Sequence, residues 1–249
     1  MFQFPAFRGV VKIFVITCFA VFLAQVLALK MAPQPTPGID ALTYFFGLTP
    51  QRFLEGHVYT LLSWIFLHST SMIFHLLFNM LAFWMFGAMI QELLGDRKFL
   101  WFCVCGAVFS GLVLILVSFA DASMRGAPTI GASGLVFAVV LAFARLYPNQ
   151  TVIFYIFPMK MKFLAALLVV VDIFFWITGQ NQQVSYAAHL AGAAYGFFVI
   201  PRMMRGGGHQ DSGGGSWLDK FKALWPQRKK KRHLRIIYPE NSNERRTYH

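Results

Sequence analysis

The side chains best suited to chemistry in this sequence are one serine, two histidines and an asparagine. Ser133 stands in IGASG (Ile130–Gly134), His189 in SYAAHLAGAAYGFF, and His75 with Asn79 in MIFHLLFNMLAFWMF. A serine hydroxyl is a weak nucleophile until a base such as an imidazole takes its proton. The tetrahedral oxyanion that follows needs fixed donors, which a backbone N–H and Asn or His side chains can supply. Together these residues point to acyl transfer. Singly they say little: Gly-x-Ser-Gly arises in many loops, and a lone His or Asn in an apolar helix is commonly a helix–helix hydrogen bond. Spacing adds weight. His75 and Asn79 are four apart and share one helix face, while Gly192 and Gly196 follow His189 as a small-xxx-small pair on its own face. Such a pair lets another helix backbone come close.

The elements that must position these groups are membrane helices. Of 249 residues, 57% are hydrophobic and 13% charged, with 28 Phe, and apolar runs of spanning length recur, as in a multi-span helical protein. Six segments qualify: Val11–Leu29, Met72–Ile90, Phe99–Phe119, Leu135–Leu146, Phe163–Ile177 and Val184–Ile200. The first is too long and too thinly charged for a signal peptide, so it is read as a span. The fourth would cover only about 18 Å as a helix, against the ~30 Å of a bilayer core. It must therefore start partway through the membrane, and the loop before it must descend from the outer side. Irregular backbone is tolerated there only when wrapped in protein or lining a water-filled cavity. Ser133 then sits at the floor of a cavity open to the outside. Gly131 and Gly134 relieve the turn, and the helix N-terminus offers free amides to a developing negative charge.

Basic residues set the orientation. With the N-terminus inside, every one of the 22 Lys and Arg except Lys30, Arg52 and Arg125 falls on the inner side, so both termini are expected in the cytoplasm. The +12 net charge gathers after the last span, which argues against a nucleic-acid partner. There the Gly206–Gly215 linker precedes SWLDKFKALW, whose Trp217, Leu218, Phe221, Leu224 and Trp225 share a helical face, and then RKKKRHLR, Arg228–Arg235. That arrangement suits an anionic leaflet; a solvated tail that only enforces topology is the alternative. The chain thus divides into a membrane domain, 1–203, and a basic amphipathic tail, 204–249. Cys18, Cys103 and Cys105 all fall in spans as small hydrophobes. Their spacing suggests no disulfide and no metal site, and no cofactor is expected.

At HLLFNM (His75–Met80), IGASG and AHLAGAAYG (Ala188–Gly196) the sequence closely resembles the rhomboid family of intramembrane serine proteases, with the motifs in the family's order. The likeness runs from about Val11 to Pro201. It implies an all-α polytopic fold, a six-transmembrane-helix bundle with a short central helix starting at mid-membrane. It implies Ser133 as nucleophile, His189 as general base, and His75 and Asn79 with the Ser133 N–H as the oxyanion-stabilising set. Gly131 matches the glycine two before the nucleophile, and Gly192 and Gly196 the close-packing positions beyond the base. Phe137 falls where an aromatic ring meets the histidine, and Phe78 where an aromatic gates substrate entry between spans two and five. The implied partners are transmembrane protein substrates, cut near the outer interface, and the implied location is a bacterial inner membrane.

Two features depart from the pattern. Tyr59–Thr60, ahead of His68, stands where many members carry Trp-Arg. Asp172 maps onto nothing in the family; it is expected to be a structural or water-facing acid, the alternative being a third catalytic member, which dyad chemistry does not need. A non-catalytic rhomboid-like escort for transmembrane partners is the alternative function, although such relatives usually lack the catalytic set that is filled here. A proton-linked transporter using the two histidines would call for internal repeats and a second broken helix, and the sequence has neither.

Overall fold

Residues 11–29, 73–90, 99–119, 135–146, 163–177 and 186–200 of the apolar segments are helical in a computed structural model of the chain, which describes residues 5–31, 34, 37–120, 125–154, 157–179 and 185–205. The Gly206–Gly215 linker and the Trp217–Arg235 region lie outside the described residues. Helix α1 is Gly9–Met31; α5 (Ile73–Ala82), a π-helical turn (Phe83–Gly87) and α6 (Ala88–Leu94) run on as one helix; α7 is Asp96–Ala120, α8 Ser133–Leu146, α9 Met161–Thr178 and α10 Tyr186–Arg205. Four of these are long and apolar enough to cross a membrane, namely α1, Ile73–Leu94, α7 and α9. Helix α8 has 14 residues, about 21 Å of rise. Helix α10 has 20 residues but is rich in Ala and Gly and carries Pro201, Arg202 and Arg205, so composition alone does not make it a span.

Local chemistry explains the helix ends. Gly95 takes φ +74° between α6 and α7, and Asp96 then opens α7, where a carboxylate complements the N-terminal dipole. Helix α8 stops at Leu146 because Tyr147 precedes Pro148 and is turned away from helical geometry. Gly179, left-handed at φ +65°, caps α9.

Other elements were not legible beforehand. Short helices α2 (Ala41–Phe46), α3 (Pro50–Leu54) and α4 (Thr60–Ser63) and a 3₁₀ turn (Trp64–Phe66) fill the connection from α1 to α5. Strands β1 (Thr151–Phe154) and β2 (Phe157–Lys160) pair antiparallel, Thr151 opposite Lys160 and Ile153 opposite Pro158. This hairpin corrects the purely helical expectation. Its β-branched and aromatic run favours strand, and a two-stranded ribbon consists of edges, where proline is tolerated. Cys18 and Cys103 are buried, whereas Cys105 is exposed: residues two apart on a helix point in opposing directions.

Helix α8 is the centre. Its residues from Gly134 to Ala144 are buried apart from Phe137, packed by α10, α7, α9, α5, α6 and the π-helical turn. Outward faces of the surrounding helices carry exposed Ile16, Leu23, Trp101, Leu116, Val170 and Phe174, as lipid-solvated helices require. Helix α1 is tied to the rest by two buried glutamines. Gln25, fully buried, donates from Nε2 to Thr43 Oγ1 at 2.8 Å and to the His68 carbonyl at 3.1 Å, and accepts the His68 N–H at 3.0 Å. Gln91 accepts the Val11 N–H at 2.8 Å and donates to the Arg8 carbonyl at 3.1 Å.

His68, in the connection ahead of α5, is buried with its Nε2 unpartnered among the described residues. Burial, and secondarily the neighbouring His75, push its imidazole down to about 3. Unfolded, the same group takes a proton near pH 6.5. Between those values the unfolded chain holds more protons, so stability falls as pH drops from 6.5 toward 3. Above that window both states are neutral and the contribution does not change. We expect His68→Phe to flatten the acid side of the thermal-unfolding midpoint against pH in detergent. Equal acid sensitivity in wild type and variant would refute the assignment.

Candidate active site

Ser133 is the first residue of α8, and the loop leading to it is held by backbone hydrogen bonds to the segment between α1 and α5. Leu48 and Thr129 exchange backbone hydrogen bonds at 3.0 and 2.8 Å, and the Gly131 N–H donates to the Trp64 carbonyl at 3.0 Å. Gly131 has φ +118°, a conformation that side chains rarely adopt. A Cβ there would also lie 2.9 Å from Cε1 and Nε2 of His75. The glycine is thus required both by the turn and by the imidazole beside it, and His75 is brought against the serine loop.

Close approach of α8 and α10 brings the serine to its base. A Cβ on Gly192 would land on the Gly134 carbonyl, and one on Gly196 on the Ala138 carbonyl; on the other side a Cβ on Gly134 would meet the Ala188 carbonyl at 3.1 Å. With the two backbones in contact, Ser133 Oγ lies 2.6 Å from His189 Nε2. Phe137, one turn beyond Ser133, stacks on the imidazole with centroids 4.7 Å apart and planes at 14°. Tyr186 meets the same ring edge-on at 6.4 Å.

The other imidazole nitrogen has a partner that the sequence reading did not assign. His189 Nδ1 is 2.8 Å from Asp172 Oδ1. Asp172 is only 6% exposed, which corrects the water-facing half of what was expected of it and leaves the structural half standing. A carboxylate accepts, so Nδ1 carries hydrogen, leaving the Nε2 lone pair for the Ser133 hydroxyl. A lone acid in the apolar run FLAALLVVVDIFFWIT was the available signal, since such a group must be paired. The partner depends on the relative register of α9 and α10, which neither helix encodes alone.

His75 and Asn79 lie on α5. The Ser69 N–H points at His75 Nδ1 over 3.4 Å, which favours hydrogen on Nε2, the edge near Gly131. Asn79 is buried and donates one amide hydrogen to the His75 carbonyl at 2.8 Å, so its second N–H is available to another acceptor. Phe78 is 54% exposed and stacks on Phe74 at 5.8 Å on the outer surface of α5. Among the described residues no cluster of His, Cys, Asp and Glu has the grouping a metal ion needs.

A serine hydrogen-bonded to an imidazole at the head of a 14-residue apolar helix, with motifs in order around it, is matched by a family model. The Rhomboid domain model matches residues 55–206, more than half of the chain. The chain belongs to the rhomboid family. This rhomboid chain is 30% identical over 175 residues to RHOMBOID-like protein 12, mitochondrial, of Arabidopsis thaliana, covering 65% of this chain and 51% of that protein. It is 31% identical over 137 residues to Rhomboid protein 1, mitochondrial, of Saccharomyces cerevisiae, covering 50% and 38%. It is 27% identical over 180 residues to Rhomboid protease GlpG of Haemophilus influenzae, covering 72% and 82%. The chain therefore spans about half or less of those two mitochondrial relatives and most of the bacterial one.

Because no side chain separates α8 from α10 at Gly192, Gly192→Val must push the helices apart. We expect a loss of roughly 1–3 kcal/mol, typical of overpacking, and loss of the Ser133–His189 contact. Gly126→Ala, where an added Cβ meets nothing within 4 Å, is the control. Detergent-phase thermal unfolding of both variants makes the comparison, and equal midpoints would contradict the close-packed interface.

Proposed function

We propose that this rhomboid is a serine endopeptidase that hydrolyses peptide bonds of transmembrane substrates near the outer membrane–water interface. The observation carrying this reading is the 2.6 Å contact between Ser133 Oγ and His189 Nε2 at the start of a helix too short to cross. In the proposed reaction Oγ attacks the scissile carbonyl carbon while its proton passes to Nε2. The tetrahedral intermediate collapses, the C–N bond breaks, and Nε2 returns the proton to the leaving amine. Water then repeats the sequence on the acyl-enzyme, with His189 again as base. We assign the oxyanion to the Ser133 N–H, His75 and Asn79; the facing of the His75 Nε2 edge toward Gly131 and the spare Asn79 N–H support that role.

The topology we propose has six spans, including the short α8 and the Ala/Gly-rich α10, with both termini on the side that collects the basic residues. The location we propose is a bacterial inner membrane; by name the matched relatives include both mitochondrial and bacterial proteins. The membrane domain 1–203 carries the activity, and the basic tail 204–249 rests on anionic lipid. Lateral entry between α5 and α9 is supported by Phe78 standing half-exposed on α5 rather than locked in the core.

Ser133→Ala and His189→Ala are each expected to abolish cleavage of a transmembrane reporter and labelling by a fluorophosphonate while the protein stays folded. Cleavage surviving in Ser133→Ala would end the peptidase reading, and a wild type that neither labels nor cleaves would favour the escort alternative. His75→Ala and Asn79→Ala should each lower kcat by about 10- to 1000-fold, as for single oxyanion donors; wild-type kcat in both would move that role elsewhere.

Phe78→Ala removes little packing, since the ring is already 54% exposed. It should raise cleavage of membrane-embedded substrates if gate opening limits turnover, with little gain for a soluble peptide. Equal acceleration of both substrate types would count against a lateral gate.

A further inference from the structure

We propose that Asp172 is a positioning residue for His189, holding the imidazole in the tautomer and rotation that can receive the Ser133 proton. The inference rests on the serine-peptidase reading above and adds a third member to a chemistry otherwise run by Ser133 and His189. A neutral imidazole has two tautomers. With hydrogen on Nε2, the ring could not accept from Ser133 Oγ at all. Phe137 stacks against the ring with planes at 14°, which limits tilt. A half-turn about the Cβ–Cγ bond leaves the ring in that same plane, however, and exchanges Nδ1 with a carbon. Stacking therefore does not choose between the productive arrangement and the unproductive one. The 2.8 Å contact from Asp172 Oδ1 to Nδ1 selects both the tautomer and the rotation. When Nε2 takes the proton, the resulting imidazolium also finds its countercharge already in place.

The setting argues against a merely structural tie. An ionisable side chain on α9 is expensive in a membrane, and Asp172 Oδ2 is buried with no hydrogen-bond partner among the described residues. Only the oxygen facing His189 is satisfied. If the contact served only to hold α9 against α10, an apolar pair of similar volume would do so at lower cost.

Asp172→Asn keeps the shape and removes the charge. Comparing it with wild type and Ser133→Ala in full-length protein, we expect kcat on a transmembrane reporter to fall by ~10²- to 10⁴-fold, as for loss of an orienting acid. KM should stay within about threefold, and fluorophosphonate labelling should slow in parallel. An unchanged kcat in a folded variant, or an effect confined to KM and thermal stability, would overturn the proposal. Should Asp172→Asn fail to fold, the ¹⁵N resonances of His189 in the wild type decide: hydrogen on Nδ1 with Nε2 bare supports it, and hydrogen on Nε2 overturns it. A wild type that neither cleaves nor labels removes the peptidase reading, and this inference falls with it. Cleavage by wild type but equally by Asp172→Asn removes this inference alone.

Discussion

Helices α8 and α10 touch backbone to backbone at Gly134–Gly192 and Ala138–Gly196, and the site depends on that contact. Even a methyl between them would push the backbones apart by about an ångström or more, and a hydrogen bond tolerates only tenths. The Ser133–His189 distance of 2.6 Å is thus set by the absence of atoms elsewhere along the interface. In lipid this makes physical sense. Helices gain little from the hydrophobic effect there, so they associate through close van der Waals contact, which small residues permit. One set of glycines both assembles the core and sets the serine-to-base distance.

The irregular backbone that leads into α8 is packed among the membrane helices, and a polar group buried on such backbone must be satisfied within the protein. The segment from α1 to α5 meets part of this need. Leu48 pairs with Thr129, and the Trp64 carbonyl takes the Gly131 N–H. That segment is itself pinned through Gln25, which bonds to Thr43 and to both backbone groups of His68. Helices α2–α4 are therefore more than a connection. They are the wall that lets the serine loop exist at depth, and Gln25 transmits the position of α1 to it.

The polar groups of the site are few, and most have more than one contact. His189 is held through both nitrogens and one face. His75 receives the Ser69 N–H, crowds Gly131 and bonds through its backbone to Asn79. This economy follows from the solvent: an unsatisfied polar atom in a bilayer costs several kcal/mol, so groups brought inside tend to be shared. Oδ2 of Asp172, without a partner among the described residues, stands apart from that tendency.

Much of this was written locally. Twenty-residue apolar runs, the truncated run after Ser133, the glycines flanking it and the His75/Asn79 face each follow from hydropathy, from 3.6-residue periodicity or from the special backbone freedom of glycine. These are properties of a segment by itself, so the sequence determined the apolar helices, the short length of α8 from Ser133 and the motifs that place the chain among rhomboids. The β1–β2 hairpin was missed because a short apolar run between helices has no distinguishing period. Helices α2–α4 were missed because they are too short for amphipathic pattern to register. Gln25 and Asp172 stand as polar residues within apolar runs and Gln91 just past the end of one, but no run names their partners. Only the tertiary structure decided those partners, because a pairing across two helices depends on their relative rotation and axial register. Those are fixed by backbone contact and packing among all the helices, and no single helix carries them in its own residues.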